Sequence, residues 1–153
     1  EDTDTEADFA LVRKGQSIWK EEATERKMEE NKKLYEQNIK NEKLDDRIHV
    51  HLIDGAAFET NKIYDLIFID AAKSQYRRYL EHFMKNSRAG TIFIFDNLKF
   101  HGIVDNEELS TNRSTIQMVH KIKKFREHLL NDDRFTTTFY DVGDGIAVSV
   151  RKI

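Results

Sequence analysis

Two apolar runs in this chain end in acid. Leu66-Ile-Phe-Ile-Asp70 closes on Asp70, and Ile92-Phe-Ile-Phe-Asp-Asn97 closes on Asp96 and Asn97. In an open parallel sheet the ligand crevice lies beyond the carboxyl ends of the strands, so polar residues that finish an apolar run stand where chemistry is done. Two carboxylates and an amide oxygen in one crevice form an all-oxygen donor set. Such a set suits a hard divalent cation such as Mg²⁺, which keeps several positions for water or substrate. Lys73 follows Asp70 by three residues, at the start of the next helix, where a flexible amine can reach a hydroxyl held by the cation. The plainer readings are that each acid caps the helix after it and that Lys73 is solvated. The Asp96-Asn97 pair on a second strand favours the cation.

These residues need elements to hold them. Tyr64-Asp-Leu-Ile-Phe-Ile-Asp70 and Gly90-Thr-Ile-Phe-Ile-Phe-Asp96 are nearly continuous apolar runs, the pattern of strands buried on both faces of a parallel sheet. Between them Tyr76, Tyr79, Leu80 and Phe83 recur at helical spacing across 73–86, which predicts a β-α-β unit with a right-handed crossover. Residues 110–130 predict an amphipathic helix capped by Ser, Thr or Asn, with Ile116, Met118, Val119, Ile122, Phe125 and Leu129 toward the sheet. Phe135 to Asp141 and Ile146 to Val150, joined through Gly143-Asp-Gly145, predict a closing antiparallel hairpin. Upstream, Arg47-Ile-His-Val-His-Leu-Ile53 alternates with the period of a strand. Residues 17–43 read as a long charged helix with a break where Thr24 caps a shorter second one.

Composition bounds the function classes. The 153 residues suit one domain, with 39% hydrophobic and 35% charged residues and apolar runs too compact for a disordered chain. A net charge of −3 attracts no polyanion overall, so any RNA contact has to come from a local patch; Lys99, His101, Arg113, Lys121, Lys123 and Lys124 are its candidates. The chain has no cysteine, which removes disulfides, thiolate metal sites and thiol nucleophiles together. With no apolar stretch approaching the roughly 20 residues of a membrane span, and an acidic start at 1–8, the expectation is a soluble, cytoplasmic protein.

Taken as strings, these motifs are specific. Tyr64 to Tyr76, with Asp70-Ala-Ala-Lys73 inside it, then Phe95-Asp-Asn97, His101-Gly102 and Val104, resemble the class I O-methyltransferase family related to catechol and caffeoyl-CoA O-methyltransferases. Asn112 to Val119 and Asp144 to Val150 are similar to the bacterial branch that methylates 5-hydroxyuridine in tRNA. The likeness runs from about Glu25 to Ile153. It implies an α/β fold: a Rossmann-like sheet, mostly parallel, with a C-terminal antiparallel hairpin. Its implied cofactors are S-adenosylmethionine and Mg²⁺ or another divalent cation. By position, Asp70, Asp96 and Asn97 match the metal ligands, Lys73 matches the lysine that assists hydroxyl deprotonation, and Glu25 matches the acid that binds the cofactor ribose. Asp54, Gly55 and Ala56, with Asp70, fall on the remaining cofactor positions. The substrate implied is a hydroxylated small molecule or tRNA.

The chain departs from that pattern at its start. Gly15 is the only glycine before Gly55, so the glycine-rich cofactor loop is missing, and Arg13-Lys-Gly-Gln-Ser17 adjoins no recognisable strand. Where relatives carry a polar residue after the glycine of Asp54-Gly55, this chain has Ala56. Residues 1–16 are therefore expected to be an irregular acidic segment and 17–153 a partial methyltransferase domain, truncated or divergent at the N-terminus. Completion of the sheet by a second protomer, as a homodimer, is one explanation. A catalytically silent binding module is the alternative function. A response-regulator-like domain leaves the Asp96-Asn97 pair and the terminal hairpin unexplained.

Overall fold

The computed structural model describes residues 9–13, 21–98 and 112–153, grouped into two compact units: residues 1–13 with 59–153, and residues 14–58. The first unit is built on a five-stranded sheet of order β1-β2-β3-β5-β4. Its strands are β1 (Phe9–Arg13), β2 (Leu66–Asp70), β3 (Ile92–Phe95), β4 (Phe135–Tyr140) and β5 (Ile146–Arg151). β1, β2 and β3 run parallel, whereas β5 is antiparallel to both β3 and β4. The predicted β-α-β unit and closing hairpin are both present.

Helix α2 (Tyr76–Phe83) links β2 to β3 between two short 3₁₀ turns, Lys73–Gln75 and Met84–Asn86. Helix α3 (Arg113–Asn131) follows β3 in the chain; its N-cap is Asn112, whose Oδ1 accepts from the Ser114 amide at 2.9 Å. Both helices cover the same sheet face, because Tyr76 of α2 and Phe125 of α3 both pack against Phe95. Ile67, Ile69, Phe93, Phe95 and Ala147 project into that layer and are fully buried. The alternate residues Leu66, Phe68, Ile92 and Ile94 are only half-buried, so the strands are not enclosed equally on both faces as their continuous apolar runs predicted. A run of Ile and Phe cannot report which alternate positions a helix covers.

The polar residues of the core are matched across strands. Thr137 Oγ1 meets Ser149 Oγ at 2.8 Å, and the Thr91 hydroxyl donates to the Tyr64 carbonyl at 2.8 Å. At the far end of α3, Arg134 holds Glu81 of α2 at 2.6 Å and Asp132 at 2.7 Å. The ligand atoms of Glu81, His128 and Asp132 lie within 4.8 Å of one another, but the guanidinium already engages both carboxylates, which makes this an ion-pair clamp. Its bonds to Arg134 hold both acids below the usual carboxylate range. Acids with a lowered folded-state pKa contribute stability that is complete above the usual range, near about pH 4, and lost as pH falls from there through the lowered folded-state value. Melting temperature should therefore drop more steeply below about pH 4 in the wild type than in Arg134→Met; equal slopes would dismiss the clamp.

The second unit contains α1 (Glu21–Asn41). It runs unbroken past Thr24, where a break was expected, because the surrounding Glu, Ala, Lys and Arg are good helix formers. Lys43, at φ 57°, closes it in the left-handed conformation. Arg47 to Ile53 forms no strand, and Ile48, Leu52 and Ile53 are 45%, 42% and 52% exposed. Alternation describes a strand only where a neighbour takes up the backbone bonds, and the described residues of this unit contain none. Among the described residues no helix is long and apolar enough to cross a membrane.

The largest departure from expectation is β1. Five residues of the stretch predicted to be irregular pair in parallel with β2, from Phe9 opposite Leu66 to Arg13 opposite Asp70. Phe9-Ala-Leu-Val12 is a short apolar patch with no periodicity of its own, and its partner lies over fifty residues away.

Candidate functional site

The β2–β3 register places the two acids. Ile69 is opposite Phe95, so Asp70 and Asp96 are the next residues on neighbouring strands, whose backbones run roughly 4.8 Å apart. Each follows a fully buried residue, so strand alternation assigns both to the face opposite α2 and α3. Both are half-buried, as is Asn97. The register thus sets Asp70 and Asp96 at the ends of neighbouring strands, with Asn97 next in the chain.

Asn97 makes the corner. Its φ of 60° is left-handed, a conformation that asparagine tolerates better than most side chains and that tends to occur where function demands it. The Asn97 amide donates to Asp96 Oδ1 at 2.7 Å, which fixes that carboxylate against the turn. One residue on, the Leu98 amide donates to the Gly145 carbonyl at 3.1 Å and ties the corner to the β4–β5 turn, where Gly145 itself has a φ of 86°. The set is wholly oxygen, the donor chemistry that fits a hard divalent cation.

Beneath the corner lies Tyr76, 1% exposed, whose hydroxyl donates to the Asp96 carbonyl at 2.6 Å. Burial pushes its ionisation well above the ordinary phenol value, and the charges of Asp70 and Asp96 push it further, against the Ala71 backbone amide. The hydroxyl is therefore a constant donor. Sequence reading treated Tyr76 as an apolar contact at helical spacing; the signal passed over was that a buried tyrosine needs a partner for its oxygen.

Lys73 opens the 3₁₀ turn after β2, three residues past Asp70, and only its backbone is described. Glu25, likewise described by its backbone alone, lies inside α1 rather than at a strand end. Asp54, Gly55 and Ala56 form a capped turn in the second unit: Asp54 Oδ1 accepts from the Ala56 amide at 3.2 Å at the start of the 3₁₀ helix Gly55–Ala57. Gly15, Lys99, His101, Gly102 and Val104 lie outside the described residues. β1 ends two residues before Gly15, so a strand does precede that glycine, contrary to expectation.

A cleft of about 260 Å³ opens next to the corner, lined by Leu98, Arg126, Phe139, Tyr140, Asp141, Gly145 and Ile146. Arg126 lies over the Phe139 ring, 5.1 Å from its centroid, so an aromatic wall and a guanidinium share one opening. No motif marked this cleft in the sequence, because its walls come from α3 and both strands of the hairpin.

A parallel sheet continued by an antiparallel hairpin, with acids at the carboxyl ends of adjacent strands, defines a Rossmann-like methyltransferase domain. The chain belongs to the O-methyltransferase family, whose profile matches residues 22–153. A Dictyostelium discoideum protein described as a probable caffeoyl-CoA O-methyltransferase is 34% identical over 110 residues, 66% of this chain and 43% of that relative. Among solved structures, a Staphylococcus aureus protein assigned as a caffeoyl-CoA O-methyltransferase superposes with a TM-score of 0.73 at 25% identity, covering 94% of this chain and 63% of that one. A Bacillus cereus O-methyltransferase in complex with SAH gives 0.65 at 27% identity, over 94% and 62%. The chain thus spans about two fifths of that curated relative's length.

Proposed function

We propose that this chain carries the methyl-transfer site of an S-adenosylmethionine-dependent, divalent-cation-dependent O-methyltransferase. The observation that carries this reading is the side-by-side placement of Asp70 and Asp96 at the carboxyl ends of neighbouring strands, with Asn97 at the corner. The SAH held by the Bacillus cereus relative supports the choice of cofactor.

In this reading Asp70, Asp96 and Asn97 hold the cation, with Mg²⁺ the natural choice for an oxygen set that leaves sites for water and substrate. The cation when bound acidifies a coordinated hydroxyl, and the cofactor when bound offers a methyl group on a sulfonium that leaves as a thioether. The chain's task is then mainly orientation. Lys73, on the turn after Asp70, takes the hydroxyl proton. Asp70 also meets the cofactor from the end of β2, and Glu25, Asp54, Gly55 and Ala56 are the further cofactor positions that the family resemblance implies.

The acceptor is a hydroxylated aromatic or pyrimidine, and 5-hydroxyuridine in tRNA is its most specific form. Arg113, Lys121, Lys123 and Lys124 are all exposed on α3 and supply local positive charge to a chain that is acidic overall. A chain free of cysteine suits a reducing, cytoplasmic setting.

Titration with labelled S-adenosylmethionine, with and without Mg²⁺, tests the reading, followed by methyl transfer to a catechol and to RNA containing 5-hydroxyuridine. Saturable binding and Mg²⁺-dependent methylation that EDTA abolishes are expected. Absence of cofactor binding at millimolar concentration would replace it with a silent binding module, the reading favoured by an Asp54 carboxylate turned back onto its own turn.

A further inference from the structure

Tyr76 braces the strand end that carries Asp96 and Asn97. It lies on α2, yet its hydroxyl donates to the backbone carbonyl of Asp96 at the end of β3 at 2.6 Å. The ring is held on two sides, 5.8 Å from Phe95 and 5.6 Å from Phe125, while those two rings meet at 5.0 Å. A side chain wedged in this way cannot change rotamer without opening the core.

The bond falls at a consequential place. The Asp96 carbonyl belongs to the peptide leading into Asn97, the residue with a φ of 60°. A left-handed non-glycine residue persists only where its surroundings over-determine it. Two bonds flank this one: Tyr76 holds the carbonyl of Asp96 from below, and the Asp96 carboxylate holds the amide of Asn97 from within the turn. Without the first, the peptide is free to rotate toward an ordinary conformation, and the Asp96 and Asn97 side chains turn with it.

We infer that Tyr76 is a positioning residue for the cation site, setting the Asp96–Asn97 corner without touching the cation itself. The inference rests on the cation reading given above. Partners that orient metal ligands typically affect affinity by 10–100-fold when removed.

Titration of the full chain with Mn²⁺, followed by EPR or calorimetry, separates this role from simple packing. Tyr76→Phe keeps the ring and removes one oxygen; Mn²⁺ affinity is expected to fall about tenfold or more. Phe125→Leu loosens the packing around the ring but keeps the hydroxyl, and should lower the melting temperature with Mn²⁺ affinity within about twofold of wild type. Equal affinity in Tyr76→Phe and wild type would overturn the positioning role and leave the cation reading standing. Failure of the wild type to bind Mn²⁺ would overturn both. A measurement on the unaltered chain covers the case in which Tyr76→Phe does not fold: the buried hydroxyl proton, identified by its contacts with the Phe95 and Phe125 rings, should shift in the NMR spectrum on Mg²⁺ saturation. A resonance that does not move counts against the role.

Discussion

Asp96→Ala is expected to lower kcat/KM for methyl transfer by about 100-fold or more, equivalent to about 3 kcal/mol of transition-state stabilisation. The variant loses a carboxylate beside Asp70 and also the acceptor that fastens the Asn97 amide at 2.7 Å, so charge and corner geometry fail together. Asp96→Asn separates the two effects. Its amide oxygen can still accept from Asn97 while the negative charge is gone, so a defect nearly as deep assigns the loss to charge, and near-complete recovery assigns it to geometry. The fold should survive either change, because Asp96 is half-buried at the rim of the sheet. Steady-state rates with Mg²⁺, beside a thermal melt of each variant, make the check. Activity within about threefold of wild type in Asp96→Ala would remove this acid from the reaction.

Phe95→Ala should act on stability instead, with a cost of about 3–5 kcal/mol. Phe95 is 0% exposed on a strand with neighbours on both sides, and its ring meets those of Tyr76, Phe93 and Phe125. Truncation removes the contact on which α2 and α3 converge. The cavity opens between two helices and a sheet, which collapse poorly around it. Domains of this size are stable by only about 5–15 kcal/mol, so the variant stands near the limit of folding. Urea unfolding measures the loss as a lower midpoint at unchanged slope. Phe68, half-buried and on the opposite face, is the internal comparison; if its truncation costs as much as that of Phe95, the packed face has been assigned wrongly.

β2, β3, α2, α3 and the closing hairpin are legible in the sequence alone: the helices through apolar residues at helical spacing, β2 and β3 through continuous apolar runs that end in Asp, and the hairpin through its Gly143-Asp-Gly145 turn. The sequence also singled out Asp70, Asp96 and Asn97, since acid at the end of an Ile-Phe run is a local feature visible without a partner. Tertiary structure decided what depended on partners. Phe9–Arg13 became a strand because Leu66–Asp70 offered it an edge, whereas the alternating 47–53 did not, for want of one among the described residues of its unit. The side-by-side placement of Asp70 and Asp96 follows from the β2–β3 register, and the bond from Tyr76 to the Asp96 carbonyl depends on how α2 crosses β3. Periodicity reports which face a residue takes on its own element. Which backbone lies opposite is settled by contacts between residues tens of positions apart, for which a single sequence carries no local signal.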